Sequence, residues 1–356
     1  MGARILHIID GSNFIDYVKA TYEINNYENY YSTYSDIDLF NLRESFDLII
    51  IHFLRREYAP LLSGKYFEVD KIIWTIWGAD AFQLGRYFNL HLMPQTKKHR
   101  FLNEFSKGFY KGLLNCVRII SPTLFDYQTM FQRQISCIKK IKNVITLAPG
   151  DDIELKKHYG LVANSYHLNY LDPIFINLLP TKFNEGNNIL LGNSAEYTNN
   201  HYEAIDILST LELANRKVII PVSYGDKTNS KAVEKYAKEK LGNKAEVLTG
   251  FMPFGDYVEL LNTCEISVMP HIRQQALGNI VKLIFNGSHL YLNKKSNIYK
   301  FLISKEFKVS TLEDLNGLKT LTLENKETNR LLVEKFFGKE YIHQKTSKII
   351  SEVLNN

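Results

Sequence analysis

Short apolar, β-branched runs recur along the first part of the chain, at Arg4–Ile9, Asp47–Leu54, Lys71–Ile76, Cys116–Ile120 and Asn143–Leu147. Helix-compatible segments lie between several of them, which predicts parallel strands joined by crossover helices. The Tyr- and Asn-rich piece Tyr22–Tyr34 has no clear period and reads as a loop. From Ala148 to Asn187 the pattern is less regular, with breakers at Pro149-Gly150, Asp172-Pro173 and Pro180. Alternation then restarts with strand-like runs at Asn188–Leu191, Lys217–Pro221, Ala245–Leu248, Glu265–Met269 and His289–Leu292. Helices are predicted over Asn200–Ala214, Ser230–Leu241, Phe254–Thr263 and Gly278–Asn286, and Leu312–Leu354 reads as helical. The chain is therefore α/β, with Rossmann-like domains over 1–165 and 166–335 and a C-terminal helix over 336–356 able to pack back on the first.

Composition narrows the class. At 356 residues the chain exceeds one ordinary core, and 45% hydrophobic with 23% charged residues describes a soluble globular protein. Cys116, Cys137 and Cys264 share no metal-ligand or redox spacing and read as reduced thiols in a cytoplasmic protein. Gly2 is followed at position 6 by Leu rather than Ser or Thr, which disfavours myristoylation. No apolar run approaches the ~18 residues that span a bilayer. The net charge of +5 is uneven: Lys97–Lys142 holds ten Lys/Arg against Glu104 and Asp126, or +8, so the remainder sums to −3. A local basic patch implies a local anionic partner, a membrane surface or a nucleic acid.

The stretch Met269-Pro270-His271-Ile272-Arg273-Gln274-Gln275-Ala276-Leu277-Gly278-Asn279 reads as a strand end, a polar loop and a helix start. A helix start offers unpaired N–H groups and partial positive charge to a diphosphate, and Arg273 adds a fixed cation with a planar donor fork.

Further segments extend this picture: Ile73-Trp74-Thr75-Ile76-Trp77-Gly78-Ala79-Asp80, holding both tryptophans; Ile189-Leu190-Leu191-Gly192-Asn193-Ser194; Asn199-Asn200-His201-Tyr202-Glu203-Ala204; and Val218-Ile219-Ile220-Pro221-Val222-Ser223-Tyr224-Gly225. In this order and spacing, over roughly residues 45–300, the chain resembles the TDP-N-acetylfucosamine:lipid II N-acetylfucosaminyltransferases, glycosyltransferase family 56. The first fifty residues match poorly. The resemblance implies a GT-B fold, two Rossmann-like domains facing each other across a cleft. It also implies an inverting enzyme that needs no metal or other cofactor. Such an enzyme moves an amino-deoxy sugar from a TDP- or UDP-sugar to a polyprenyl-diphosphate-linked saccharide, as a peripheral protein at the inner face of the cytoplasmic membrane.

Under that resemblance the donor set is Gly192, Asn193, Ser194, Tyr224, Gly225, Phe254, Arg273, Gln274, Gln275, Gly278 and Asn279. Glycine permits close backbone approach, Asn and Ser offer short hydrogen-bonding groups, and Arg273 neutralises the leaving diphosphate. Plain turn and packing roles compete at Gly192–Ser194, Gly225 and Phe254. Gln275 and Lys282 stand where many retaining GT-B enzymes carry glutamates, which disfavours retaining chemistry.

An inverting transfer needs a base for the acceptor hydroxyl. Asp80 is the first candidate, with a helix N-cap as its rival role, and His52 the second, with a satisfied core histidine as its rival. His7 and Asp10 at the first strand are weaker options. Trp77 and Gly78 are candidate acceptor contacts. Asp36-Ile37-Asp38 imitates a metal-binding D-x-D but lies before the second apolar run without a nucleotide-binding half preceding it, so no metal is assigned. Lys97, Lys98, Arg100, Lys107 and Lys111, on a helix-like core from Lys97 to Asn115 that also carries aromatics, form a candidate membrane surface. The competing functions are a sugar-nucleotide enzyme with a soluble acceptor, an epimerase, or a nucleic-acid-binding protein using the basic patch. No nucleic-acid motif supports the last.

Overall fold

The computed structural model describes residues 2–11, 14–24, 26–105, 113, 127–172, 182–184 and 186–356. Among these, contacts divide the chain into two units, one built from 2–85, 127–172 and 335–356, the other from 86–105 and 182–334. The expected boundary at 165/166 thus becomes an interleaved division. Residues 86–105 belong with the second sheet, while the terminal helix Lys339–Asn355 packs in the first core through Ile342, Ile349, Ile350 and Val353.

The first unit holds a six-stranded parallel sheet in the order β2-β1-β3-β4-β5-β6. Its strands are β1 (Ala3–Ile9), β2 (Tyr27–Ser32), β3 (Leu48–His52), β4 (Ile72–Thr75), β5 (Asn143–Thr146) and β6 (Asn164–His167). The Leu-Ile-Ile-Ile-His run of β3 is buried on every residue, as expected of a central parallel strand covered on both faces. The segment read as a loop at Tyr22–Tyr34 contains edge strand β2, paired with β1 from Ala3↔Tyr27 to Ile8↔Ser32. Like β6, it is polar and half-exposed, so no apolar run marks it. The predicted Cys116–Ile120 strand lies outside the described residues.

The second unit repeats the design with the order β12-β11-β10-β7-β8-β9. Here β7 is Asn188–Leu191, β8 Val218–Pro221, β9 Ala245–Leu248, β10 Cys264–Met269, β11 His289–Leu292 and β12 Ser310–Thr311. Helices His201–Ser209, Lys227–Leu241, Phe254–Leu261 and Leu277–Phe285 fall where the pattern placed them. The stretch from Leu312 to Leu354 is not one helix. A 3-10 turn at Leu312–Gly317, closed by a capping box between Thr311 and Asp314, precedes helices Leu323–Phe337 and Lys339–Asn355. No helix among the described residues is long and apolar enough to cross a membrane.

Candidate functional site

In open parallel sheets, ligands bind beyond the carboxyl ends of the strands, where the strand order reverses and neighbouring loops diverge. In the second unit that point lies between β7 and β10. The loop after β7 carries Gly192-Asn193-Ser194, and the loop after β10 runs from Pro270 to Ala276, ahead of helix Leu277–Phe285. Two segments singled out by sequence therefore meet at one reversal point.

Their side chains form a directed hydrogen-bond chain. Arg273 Nε donates to Thr198 Oγ1 (3.2 Å), Thr198 donates to Gln275 Oε1 (2.7 Å), Gln275 Nε2 donates to Asn193 Oδ1 (3.1 Å), and Asn193 Nδ2 donates to the Tyr224 hydroxyl (2.7 Å). Every link but Tyr224 is buried, so the bonds among Arg273, Thr198, Gln275 and Asn193 are little weakened by competing water. Asn199 fastens the loop from beneath: its Oδ1 accepts from Asn193 N (3.1 Å) and its Nδ2 donates to Ser194 Oγ (2.9 Å). Gly192 has φ +68°, and a Cβ there would lie 2.7 Å from His201 Nε2 and 2.9 Å from Asn199 Oδ1. The glycine is required by backbone conformation and by space.

Buried polar atoms beside this chain lack partners among the described residues: both ring nitrogens of His201, Nδ1 of His271 and Oε1 of Gln274. Burial lowers the pKa of both histidines to about 3, with the Arg273 charge adding to the effect at His271, so both rings are neutral. Unpartnered buried groups cost about 1–3 kcal/mol each, a cost that a polar ligand relieves. Glu196, on the same loop, has its carboxyl pKa raised by burial, against the opposing attraction of Arg273.

Other donor-set residues occupy the margins. Tyr224 is 59% exposed, and Gly225 (φ +106°) lets the chain turn against the Glu196 backbone. Gly278 and Asn279 lie in the first turn of helix Leu277–Phe285, Gly278 exposed with open space around it and Asn279 donating to the Tyr257 hydroxyl (3.0 Å). Phe254 starts helix Phe254–Leu261, and its side chain lies outside the described set. Thr198, Asn199 and His201 were not assigned roles from sequence. The signal was present in the Asn199–Glu203 stretch, but only tertiary contact shows that it joins the walls.

Helix Pro94–Phe105 is clamped to the same region. The Glu203 carboxylate accepts from Thr96 N (2.9 Å) and Thr96 Oγ1 (2.6 Å), capping the helix from outside, with Pro94 at the first position. Asn200 accepts from Met93 N (2.8 Å) and donates to the His91 carbonyl (3.1 Å), while His99 stacks on Tyr202 at 4.0 Å. Arg100 departs from the surface role expected of it. It is half-buried, donates to Asn89 (2.7 Å) and lies 4.5 Å from the Phe88 ring centroid. Lys97, Lys98, Phe101 and Leu102 form an exposed stripe, whereas Lys107 and Lys111 lie outside the described residues.

In the first unit the order reverses between β1 and β3. His52, last in β3, is fully buried: its Nε2 is 3.0 Å from His7 Nδ1, and its Nδ1 accepts from the Tyr170 hydroxyl. The tautomers follow from the ends of this chain. Asn29 Nδ2 donates to the Tyr22 carbonyl, so its Oδ1 accepts from His7 Nε2 (2.9 Å), leaving His7 Nδ1 to accept from His52. Trp77 Nε1 donates to the Tyr170 hydroxyl (2.8 Å), completing a directed row. Burial, reinforced by His7, holds the His52 pKa well below its ordinary value. His52 is thus a satisfied core histidine, which corrects its assignment as a base.

Asp80 is also interior, at 3% exposure. Its carboxylate accepts from Leu54 N (3.0 Å), Trp74 Nε1 (2.8 Å) and Trp77 N (3.1 Å), tying the loops after β3 and β4 together. Gly78, not Asp80, holds the cap position of the short helix Ala79–Phe82. Burial raises the Asp80 pKa to about 6, against the pull of these donors. It borders a cavity of about 360 Å³ with Leu54, Arg56, Gln83 and Gln134. Its oxygens serve the protein's own N–H groups, the geometry of a positioning carboxylate rather than a free base. Trp74 is fully buried and Trp77 half-buried. Asp36 and Asp38 accept bonds within local turns, from Thr33 and Ser35 and from Phe40 and Asn41.

Two parallel α/β sheets of this order, each with one reversal point, are the architecture of the GT-B fold. Similar solved structures include Anabaena Alr3699/HepE in complex with UDP-glucose, at TM-score 0.66 and 12% identity, covering 98% of this chain and 100% of that one. An E. coli trehalose-6-phosphate protein bound with UDP-2-fluoro glucose matches at TM-score 0.60 and 10% identity, covering 99% of each chain. Sucrose-phosphate synthase from Thermosynechococcus elongatus matches at 0.57 and 11%, covering 99% of this chain and 97% of that one. At these identities the likeness concerns the fold. The family model for 4-alpha-L-fucosyltransferases, glycosyl transferase group 56, matches residues 161–349, more than half of the sequence, and the chain belongs to that family.

Proposed function

We propose that the chain transfers a deoxy or amino-deoxy sugar from a TDP- or UDP-sugar to a polyprenyl-diphosphate-linked saccharide, with inversion and without a metal. The observation that carries this reading is the crevice between the β7 and β10 loops, where the Arg273–Thr198–Gln275–Asn193–Tyr224 chain adjoins unpartnered buried groups. That HepE is described with UDP-glucose supports a nucleotide-sugar donor on this scaffold.

Arg273 faces the diphosphate charge that grows as the C1–O bond breaks, and the N–H groups opening helix Leu277–Phe285 add partial positive charge. A guanidinium here does electrostatically what a divalent cation does in metal-dependent transferases. The neutral His201 and His271 rings add hydrogen-bonding groups without a competing cation. Acceptor binding is assigned to the first unit, with Trp77 and Gly78 as contacts. The exposed Lys97–Leu102 stripe, with Leu90 also exposed, fits an anionic membrane surface at the inner leaflet, where a polyprenyl-linked acceptor resides.

The test is transfer from labelled TDP- and UDP-linked deoxy sugars to solvent-extracted polyprenyl-diphosphate saccharides, in excess EDTA. The reading expects label in the organic phase with inverted anomeric configuration. Retention of configuration, or complete loss with EDTA restored by a divalent cation, overturns it.

A further inference from the structure

We propose that Asp10 is the general base that takes the proton from the acceptor hydroxyl. The inference rests on the transfer reading above. It begins with the reversal point of the first sheet: β1 and β3 pair through Ile9↔His52, so the residues that follow, Asp10 and Phe53, flank the crevice.

Asp10 differs from the two interior candidates in what it leaves available. Its side chain is 19% exposed, against 3% for Asp80 and none for His52. Oδ2 accepts from the Tyr58 hydroxyl and pairs with Arg55 Nε at 3.3 Å, whereas among the described residues Oδ1 accepts only from Tyr34 N, at 3.2 Å. The carboxylate is thus anchored through one oxygen and keeps acceptor capacity on the other. Gly11 beside it (φ +130°) has no atom of the described residues beyond its chain neighbours within 4 Å of the place a Cβ would take.

The surroundings suit a saccharide. The Phe14 and Trp77 rings meet edge-on at 4.5 Å, and Phe53 lies 6.4 Å from Trp77, giving an aromatic wall at the same strand ends. Phe53 has φ +76°, a left-handed conformation costly for a bulky side chain, and such strain concentrates at ligand sites. The Arg55 guanidinium lies 5.6 Å from the Phe53 ring centroid and pairs with Asp10, joining wall and carboxylate.

In the step itself, the acceptor oxygen forms its bond to the anomeric carbon as the bond from that carbon to the diphosphate oxygen breaks. The electron pair leaves with the nucleoside diphosphate. The hydroxyl proton passes to Asp10 and from there to water.

The experiment compares wild type, Asp10→Asn, Asp10→Glu and Asp80→Asn in the full chain. It measures nucleoside diphosphate binding, melting temperature, and kcat and KM for transfer to the extracted polyprenyl-diphosphate saccharides. The proposal expects Asp10→Asn to bind the diphosphate as wild type does, with donor KM little changed and kcat down at least ~100-fold. Asp10→Glu, which keeps a carboxylate, should exceed Asp10→Asn in kcat even if both melt lower. Asp80→Asn should lose melting temperature, with a smaller fall in kcat than Asp10→Asn shows. Near-normal kcat in Asp10→Asn, or equal kcat in the Glu and Asn variants, overturns the assignment. A wild type that neither binds a nucleoside diphosphate nor transfers sugar overturns the transfer reading itself, and this proposal with it.

Discussion

Gly192 and Gly278 both belong to the proposed donor set but differ physically, and the difference is measurable. Ala at 192 must hold the left-handed backbone (φ +68°), at about 1–2 kcal/mol. Its Cβ would lie 2.7 Å from His201 Nε2 and 2.9 Å from Asn199 Oδ1, and both side chains are buried and closely confined. Overpacking of this kind costs about 1–3 kcal/mol. If Asn199 turns away instead, its bonds to Asn193 N and Ser194 Oγ are lost, at a similar cost. The sum for Gly192→Ala is about 2–5 kcal/mol, together with a distorted crevice wall. At Gly278 no heavy atom of the described residues, beyond its chain neighbours and its own helix backbone, lies within 4 Å of an added Cβ and no positive φ is required, so Gly278→Ala should stabilise by about 0.4–1 kcal/mol. Because the proposed donor site puts the diphosphate in that space, Gly278→Ala should also weaken nucleoside diphosphate binding. Differential scanning fluorimetry of both variants, with and without nucleoside diphosphate, separates the effects. Gly192→Ala should melt well below wild type. Gly278→Ala should melt at or above it, with a smaller ligand shift. A fully stable Gly192→Ala refutes the packing argument, and undiminished binding in Gly278→Ala refutes the placement of the diphosphate.

Arg273→Ala should weaken nucleoside diphosphate binding about 10- to 100-fold, from the ~1.5–3 kcal/mol of a charge-assisted bond, as titration calorimetry would show. Reversing both exposed lysines (Lys97→Glu with Lys98→Glu) removes about 2 kcal/mol of attraction to anionic vesicles, so cosedimentation should fall at least ~30-fold while activity on a detergent-dispersed acceptor survives. Acid should destabilise the chain. Burial lowers His7 to about 4 and His201 and His271 to about 3, so the unfolded state binds more protons below pH 6.5. Each then contributes a loss of up to about 3 kcal/mol as pH falls from 6.5 toward 4. Asp80, raised to about 6, acts in the opposite sense, since its contribution is lost as pH rises through that value. Asp80→Asn should therefore steepen the acid limb of a pH–melting profile, and an unchanged limb would contradict its buried placement.

The central strands and the crevice loops were legible because burial on both faces leaves long apolar runs, and because Gly192, Arg273 and Gly278 sit at strand-to-helix transitions. What was illegible is equally specific. Edge strands Tyr27–Ser32 and Asn164–His167 are half-exposed and polar, so their pairing leaves no local pattern. The assignment of residues 86–105 to the second unit depends on Glu203 and Asn200 reaching Thr96 and Met93, contacts 107 residues apart. The surroundings of Asp80 are illegible for a related reason. A carboxylate after a Trp-Gly-Ala turn looks catalytic in sequence, and only the donors closing on Asp80 show it holding loops. Thr198 is an ordinary residue in sequence, and its value lies in bridging Arg273 and Gln275.

The most direct test of the central claim is a thermal-shift titration of the full chain with UDP, TDP, GDP, CDP and CMP, with and without EDTA, beside Arg273→Ala. The account predicts a clear stabilisation by UDP or TDP that EDTA leaves intact and Arg273→Ala abolishes. A shift that disappears with EDTA, or that persists undiminished in Arg273→Ala, would contradict a metal-independent donor crevice between the β7 and β10 loops.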